Sequence, residues 1–260
     1  MNSLGEKYLR KSSLPTLFCP GCGNGTILNA MVRVADKMGL ENFSFVSGIG
    51  CSSWIPVFIN SDVLHTLHGR AIPVATGLKM AQPNKHVVVF SGDGDCLGIG
   101  GNHFIHAARR NIDITVVMIN NYIYGMTGGQ VAPTTPHHVT TKTTPYGNPE
   151  SPFDACVLAS AAGATFVARQ TTAYPAQLQK CIEQAIQHKG FSYIEVITQC
   201  PTQAGRNIFG SGDPTFLYNE LKRRAVINPN QPIQGNEFHI GIILERDDKE
   251  VFKPMTVGEE

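Results

Sequence analysis

The 260-residue sequence predicts an α/β protein built on a mostly parallel sheet flanked by helices. Residues 87–90 and 114–119 are short runs of β-branched and apolar side chains, which suit strands buried on both faces of a parallel sheet. Between them, residues 99–110 carry helical spacing, with apolar or small residues at Ile99, Phe104, Ala107 and Ala108. Strand, helix, strand makes a βαβ unit whose crossover is right-handed. Gly92-Asp93-Gly94 and Asn120-Asn121 then fall at the carboxyl ends of two parallel strands, the edge where open α/β sheets bind ligands.

The other elements follow in order. Residues 17–25 read as a loop that delivers Cys19 and Cys22 ahead of a helix, with Thr26 as its cap. Ile27, Ala30, Met31 and Val34 give that helix an apolar face, and Gly39 stops it. Phe43–Ser47 is a strand ending in a small-residue turn, Gly48 to Ser53, before Trp54. A helix over 72–80 follows, with Pro73 tolerated in its first turn. Residues 128–153, rich in Gly, Thr and Pro, form a long loop that is either functional, part of an interface, or a plain surface loop. Thr-Thr-Pro occurs there twice, at 134–136 and 143–145, and the chain has no larger repeat. Helices are expected over 154–162, 176–188 and 215–223, strands over 165–168, 192–198 and 238–244, and a frayed acidic C-terminus.

Composition narrows the function classes. Twenty-one basic residues against 20 acidic ones leave no charge block suited to nucleic acid or an anionic membrane. No apolar run approaches the roughly 20 residues needed to span a bilayer, and the first residues lack the apolar core of a signal peptide. The expectation is a soluble, cytoplasmic protein with neither nucleic acid nor membrane as partner. Seven cysteines in a reducing compartment point away from disulfides and toward metal or cluster ligation as the first alternative.

Asp93 offers a hard anionic oxygen and Asn121 a neutral amide oxygen. Such a pair suits Mg²⁺ that keeps part of its shell for a diphosphate, and the flanking glycines admit backbone N–H groups to phosphate. A simple strand-end turn is the bland reading of Gly-Asp-Gly alone. Followed one βαβ unit later by Asn-Asn, it resembles the diphosphate-binding motif of thiamine-diphosphate enzymes. That resemblance implies Mg²⁺ ligation by the side chains of Asp93 and Asn121 and by the Ile123 carbonyl.

Cys19-Pro20-Gly21-Cys22 is a two-ligand clip without the second clip of a zinc ribbon. Cys51 and Cys200 stand singly at predicted strand ends. Spacing alone leaves a [4Fe–4S] cluster, zinc or unligated cysteines open. A wider resemblance favours the cluster. The blocks at 19–25, 47–53, 68–70, 92–95, 99–103 and 120–130 make the chain similar, over nearly its whole length, to the β subunits of 2-oxoacid:ferredoxin oxidoreductases.

The resemblance implies one thiamine-diphosphate-binding domain over 1–260, with an N-terminal cluster-binding loop and a C-terminal extension from about residue 205. Cys19, Cys22, Cys51 and Cys200 would ligate one [4Fe–4S] cluster, while Cys96, Cys156 and Cys181 match no ligand position. Ile49, Gly50, Cys51, Ser52, His68, Gly92, Gly94, Asp95, Gly125 and Met126 would contact thiamine diphosphate, His68 having a core-histidine alternative. The implied reaction is oxidative decarboxylation of a 2-oxo acid to an acyl-CoA, with coenzyme A as co-substrate and electrons passing through the cluster to ferredoxin. An obligatory α subunit, in a heterodimer paired into a larger assembly, would supply the activating glutamate, so no catalytic residue is assigned in this chain. Arg70 and Trp54 are the substrate candidates. Relatives that use 2-oxoglutarate commonly carry Arg or Lys at the position of Trp54, which would instead favour an apolar or aromatic side chain or simply pack. The overall pattern is nevertheless closest to the 2-oxoglutarate type. A branched-chain or aromatic 2-oxo acid, a non-redox thiamine-diphosphate decarboxylase and a zinc-stabilised non-catalytic protein are the alternatives; a Rossmann nucleotide binder lacks its Gly-x-Gly-x-x-Gly context.

Overall fold

The structure, a computed structural model, describes residues 3–253; the C-terminal residues expected to fray lie outside the described residues. Phe43–Ser47 (β1), Val63–His65 (β2), His86–Gly92 (β3), Thr115–Asn120 (β4), Phe166–Thr171 (β5), Ser192–Ile197 (β6) and Gly241–Glu245 (β7) form one sheet in the order β7-β5-β6-β4-β3-β1-β2. All pairings are parallel except that of β7 with β5. The connecting helices are Asn24–Met38 (α1), Ala71–Ala81 (α2), Gly101–Arg110 (α3), Ala155–Ala162 (α4) and Pro175–Gln187 (α5), followed by Pro214–Arg224 (α6).

Strand alternation sorts the apolar residues into two cores. Val88 and Phe90 of β3 point to the side covered by Ile27, Met31 and Val34 of α1 and by Leu178 and Ile182 of α5. Val87 and Val89 point to the other side, against Ile72 and Ala75 of α2, Phe104 of α3 and Ala159 of α4. Burial on both faces explains why the central strands read as continuous apolar runs. Phe104 is fully buried and meets Phe191 and Tyr193 edge-on at 5.9 and 5.2 Å. A third, smaller core of Ile197, Leu221, Phe238 and Ile240 seats the C-terminal segment against the strand tips. No helix among the described residues is long and apolar enough to cross a membrane.

Several boundaries differ from the expectations above. Helix α1 begins at Asn24 with Gly23 before it, so Thr26 lies within its first turn and is not the cap. The helix expected from residue 99 begins at Gly101, because Gly94–Ile99 form a π-helical turn. Residues 238–244 are not one strand: Phe238–His239 pairs with Ala225–Val226, and the chain enters β7 only at Gly241, whose φ of +132° breaks the run. The strand expected over 165–168 runs instead from Phe166 to Thr171. The helix expected from residue 154 begins at Ala155, with Asp154 as its cap: Asp154 Oδ1 accepts from the Cys156 and Val157 backbone N–H groups at 3.1 Å, and Gly163 closes the helix at φ +96°.

Candidate active site

Strand register builds the site. Gly92 pairs with Ile119 and Ser47 with Phe90, so the turns after β1, β3 and β4 emerge side by side. Together they line a cleft of about 500 Å³, counted with its open mouth. Its walls include Ile49, Gly50, Cys51, Ser52, Gly92, Asp93, Gly94, Asp95 and Asn121. Ile123, Gly125, Met126 and His68 complete the set expected from the sequence, and Tyr124 and Thr127 join them. Trp54 and Arg70 do not line it: Trp54 packs against the α1 side of the core, and the Arg70 side chain is exposed.

Asp93 is buried, and burial raises its carboxyl from 3.8 to about 7 despite hydrogen bonds that favour the charge. Thr134 donates to its Oδ2 at 2.5 Å, and among the described residues no salt bridge reaches it. A desolvated carboxylate with no partner cation, opening into a cleft, is what a hard cation would neutralise. Asn121 bends the next turn by accepting the Ile123 N–H on its Oδ1 at 3.2 Å, and Tyr122 adopts φ +66° to let the chain turn. That turn brings Ile123 into the cleft wall, while the Tyr124 hydroxyl donates to the Gly94 carbonyl at 3.0 Å. Glycine is required at 94, where a Cβ would stand 2.3 Å from the Tyr124 ring.

Asp95 belongs to a different arrangement. Its Oδ1 accepts from the Ile49 N–H at 3.2 Å, the Gly69 N–H at 2.7 Å and His68 Nδ1 at 2.5 Å, and its Oδ2 accepts from Ser91 Oγ at 2.5 Å. Gly48 leaves room for this carboxylate: a Cβ there would lie 2.1 Å from Oδ2.

The four singled-out cysteines come from the N-terminal loop, the turn after β1 and the segment after β6, and the structure gathers these segments. The Gly23 N–H donates to the Gln199 carbonyl at 3.2 Å, and the Asn24 side chain donates to the Cys51 carbonyl at 3.0 Å. A Cβ on Gly125 would sit 3.5 Å from Cys51 Sγ and 3.9 Å from Cys200 Sγ. Burial, then the charges of Cys200, Cys51 and Cys19, push the Cys22 thiol up to about 12; burial, then Cys200 and Cys19, push Cys51 to about 11. Among the described residues no group of three or more His, Cys, Asp or Glu is arranged to hold a metal ion. Cys96, Cys156 and Cys181 are buried in the two cores.

Sequence reasoning did not find Thr134, Tyr124 or Ser91. Thr134 lies in the long Thr-rich loop, which is pinned to the site by a short β-ladder between Ile123–Tyr124 and Gln130–Val131. The density of threonines there was the available signal.

A family model described as the C-terminal TPP-binding domain of thiamine pyrophosphate enzymes matches residues 48–196, the stretch that carries the β1, β3 and β4 tips. The fold and the cleft therefore define a thiamine-pyrophosphate enzyme domain. Among similar proteins, the 2-oxoglutarate synthase subunit KorB of Methanocaldococcus jannaschii is 50% identical over 257 residues, 97% of this chain and 94% of its own. The subunit of the same name from Archaeoglobus fulgidus is 57% identical over 197 residues, 75% of this chain and 73% of its own. A solved structure, the 2-oxoglutarate:ferredoxin oxidoreductase from Magnetococcus marinus with 2-oxoglutarate, coenzyme A and succinyl-CoA bound, matches with a TM-score of 0.85 at 35% identity, over 95% of this chain and 87% of that one. The chain belongs to the family of 2-oxoacid:ferredoxin oxidoreductase β subunits, and it is an enzyme subunit of that kind.

Proposed function

We propose that this chain is the β subunit of a cytoplasmic enzyme that oxidatively decarboxylates 2-oxoglutarate to its acyl-CoA and passes the electrons to ferredoxin. One observation carries the reading. Cys51 lines the same cleft as Asp93 and Asn121, and its sulfur also faces the neighbourhood of Cys200, so a redox centre and the diphosphate site would share one turn.

The donor chemistry fits both groups. Asp93, Asn121 and the Ile123 carbonyl would hold Mg²⁺ against diphosphate, with Thr134 fixing the carboxylate rotamer. Cys19, Cys22, Cys51 and Cys200 would hold a [4Fe–4S] cluster, for which four thiolates are the usual set. Thiamine diphosphate supplies the electron sink that lets a 2-oxo acid lose CO₂. The chain binds and orients: the glycines at 92 and 94 let backbone approach the diphosphate, and Tyr124 buttresses Gly94 from behind.

Among the described residues, the cleft lining contains no glutamate, lysine or arginine. An activating glutamate and a cation for a distal carboxylate would therefore come from an α subunit, with part of the CoA site. The relatives' names and the 2-oxoglutarate held by the similar structure support that substrate over an apolar 2-oxo acid.

The test is a screen of the purified two-subunit complex against 2-oxoglutarate, pyruvate, and branched-chain and aryl 2-oxo acids with CoA, following viologen reduction. The highest kcat/KM is expected with 2-oxoglutarate. A preference for a branched or aryl acid would overturn the substrate, and turnover without CoA or reduction of the dye would overturn the redox assignment.

A further inference from the structure

We propose that residues 138–148 form a fixed finger at the rim of the cleft, and that Tyr146 at its tip is the anchor that seats in an apolar pocket of the α subunit. The proposal rests on the reading of the cleft as a site that the α subunit completes.

Tyr146 is 101% exposed, ahead of every other large apolar or aromatic side chain among the described residues; Leu67 follows at 78%. Scattered apolar groups on a surface need no explanation, but this one is held out by a built support. The segment has neither helix nor strand, so its backbone groups need other partners. At the base, the His138 N–H donates to the Asn148 carbonyl at 2.9 Å and the Asn148 N–H to the Val139 carbonyl at 2.8 Å. Above it, Thr141 Oγ1 accepts from the Thr143 and Thr144 N–H groups at 3.3 and 3.2 Å. Gly147, at φ +101°, donates to the Thr144 carbonyl at 3.1 Å and turns the chain back directly after Tyr146. The buried Asn148 side chain fastens the whole to the body, donating to the Thr135 carbonyl at 2.9 Å.

The place of the finger selects its partner. The Lys142 N–H donates to the Gly129 carbonyl, and Thr143 Oγ1 accepts from the Val131 N–H, both at 3.0 Å. A Cβ on Gly128 would stand 2.6 Å from Lys142 Nζ, so the lysine side chain lies along the same turn. Residues 128 and 129 follow directly on Gly125, Met126 and Thr127, which line the cleft. Met126 is itself 44% exposed there. The finger thus stands on the cleft rim, with Tyr146 three residues beyond Thr143. Among the described residues the lining offers no glutamate, lysine or arginine, so the subunit that brings those groups to the cleft has to lie against this rim.

The chemistry of the finger describes the receiving surface. A buried tyrosine ring removes roughly 150–250 Å² from water, and tyrosines are enriched among the residues that dominate binding. Because the backbone around Tyr146 is already ordered, little further conformational freedom is lost when the ring is covered. No acidic residue occurs from Gly128 to Pro149, and among the described residues no salt bridge reaches Lys142. The matching pocket is therefore apolar within, for the ring, and acidic at its edge, for the ammonium.

The test uses the two-subunit complex carrying Tyr146→Ser or Tyr146→Phe, changes at a fully exposed position that leave the fold of this chain intact. Exchange of fluorescently labelled α subunit into the complex measures dissociation, the step where most interface changes act. Tyr146→Ser is expected to exchange at least about 30-fold faster than the wild type, the loss typical of a buried aromatic anchor. Tyr146→Phe keeps the ring and should restore most of the difference. A wild-type exchange rate in Tyr146→Ser, or exchange equally fast in Tyr146→Phe, would overturn the proposal. Sedimentation of a dilution series identifies the occupant: Tyr146→Ser should release free subunits at concentrations where the wild type stays paired. Loss of a larger assembly alone, with the α–β pair intact, would place Tyr146 against a second copy and overturn the proposal, as would a change confined to the KM for ferredoxin. A wild-type chain that pairs with no α subunit sinks the parent reading and this one with it, whereas a stable wild-type pair with unaltered exchange in Tyr146→Ser sinks this one only.

Discussion

Asp93 sets the terms of the site at the scale of single residues. It is a buried carboxylate that the described residues supply with hydroxyl and backbone donors but no cation. Asp93→Ala is expected to abolish retention of thiamine diphosphate, because the only anionic protein ligand proposed for Mg²⁺ is gone; cofactor content after gel filtration measures it. Thr134→Val keeps the shape but removes the donor that holds Oδ2. Outer-shell changes of this kind typically cost about 10–100-fold in metal affinity, so Mg²⁺ titration of cofactor binding should shift by that factor while the fold persists. Thr134→Ser, which restores the hydroxyl, should recover most of the loss.

The element that matters most is the stretch after β3. Instead of entering a regular helix, residues Gly94–Ile99 make a π-helical turn, a form that recurs at functional sites. This turn puts Asp95 beneath the β1 tip and leaves Gly94 in contact with the Tyr124 phenol. Gly94→Ala drives a methyl group into the ring, at a cost of roughly 1–3 kcal/mol for overpacking. Reduced cofactor affinity is expected along with a lower denaturation midpoint, and Gly94→Ala/Tyr124→Leu should regain part of the stability. The turn after β4 uses a similar device, with Asn121 capping its own turn and Tyr122 at positive φ to aim Ile123 into the cleft.

Over the whole molecule, a hydrogen-bonded chain joins the site across β6 to β5 and the cap of α4. Thr134 contacts both Asp93 and Asn120, Asn120 donates to Glu195, and Glu195 accepts from Arg169, which also reaches Asp154. Glu195 is buried in mid-strand, so removing its cation leaves a desolvated charge. Arg169→Met should cost about 3–5 kcal/mol in chemical denaturation, and Arg169→Met/Glu195→Leu should cost less than the single change. The cysteine neighbourhood likewise draws on segments far apart in the chain. Cys200→Ser is expected to remove a visible absorbance band that bleaches with dithionite, while diphosphate binding stays largely intact. Retention of the band in that variant would exclude Cys200 as a ligand.

Much of this was legible in residue order. Runs such as those of β3 and β4 are buried on both faces, so their apolar continuity declares them, and their parallel pairing follows from the helix between them. With both strands parallel, Asp93 and Asn121 had to meet at one edge, and two of the three cysteine-bearing segments, those of Cys51 and Cys200, also stood at strand ends. Other features depend on groups that touch only after folding. Thr134 reaches Asp93 across 41 positions of chain, and the pairing of His68 with Asp95 spans 27. Neither has a local pattern, since a hydroxyl or imidazole in a loop carries no periodicity. Trp54 and Arg70 sit next to the right motifs but turn away from the cleft, because the short helix Trp54–Val57 packs on the α1 core and Arg70 precedes α2 at the surface. Hydrophobic periodicity and glycine placement decide strands, turns and the edge they share; the direction a side chain takes from that edge is decided by the space its neighbours leave.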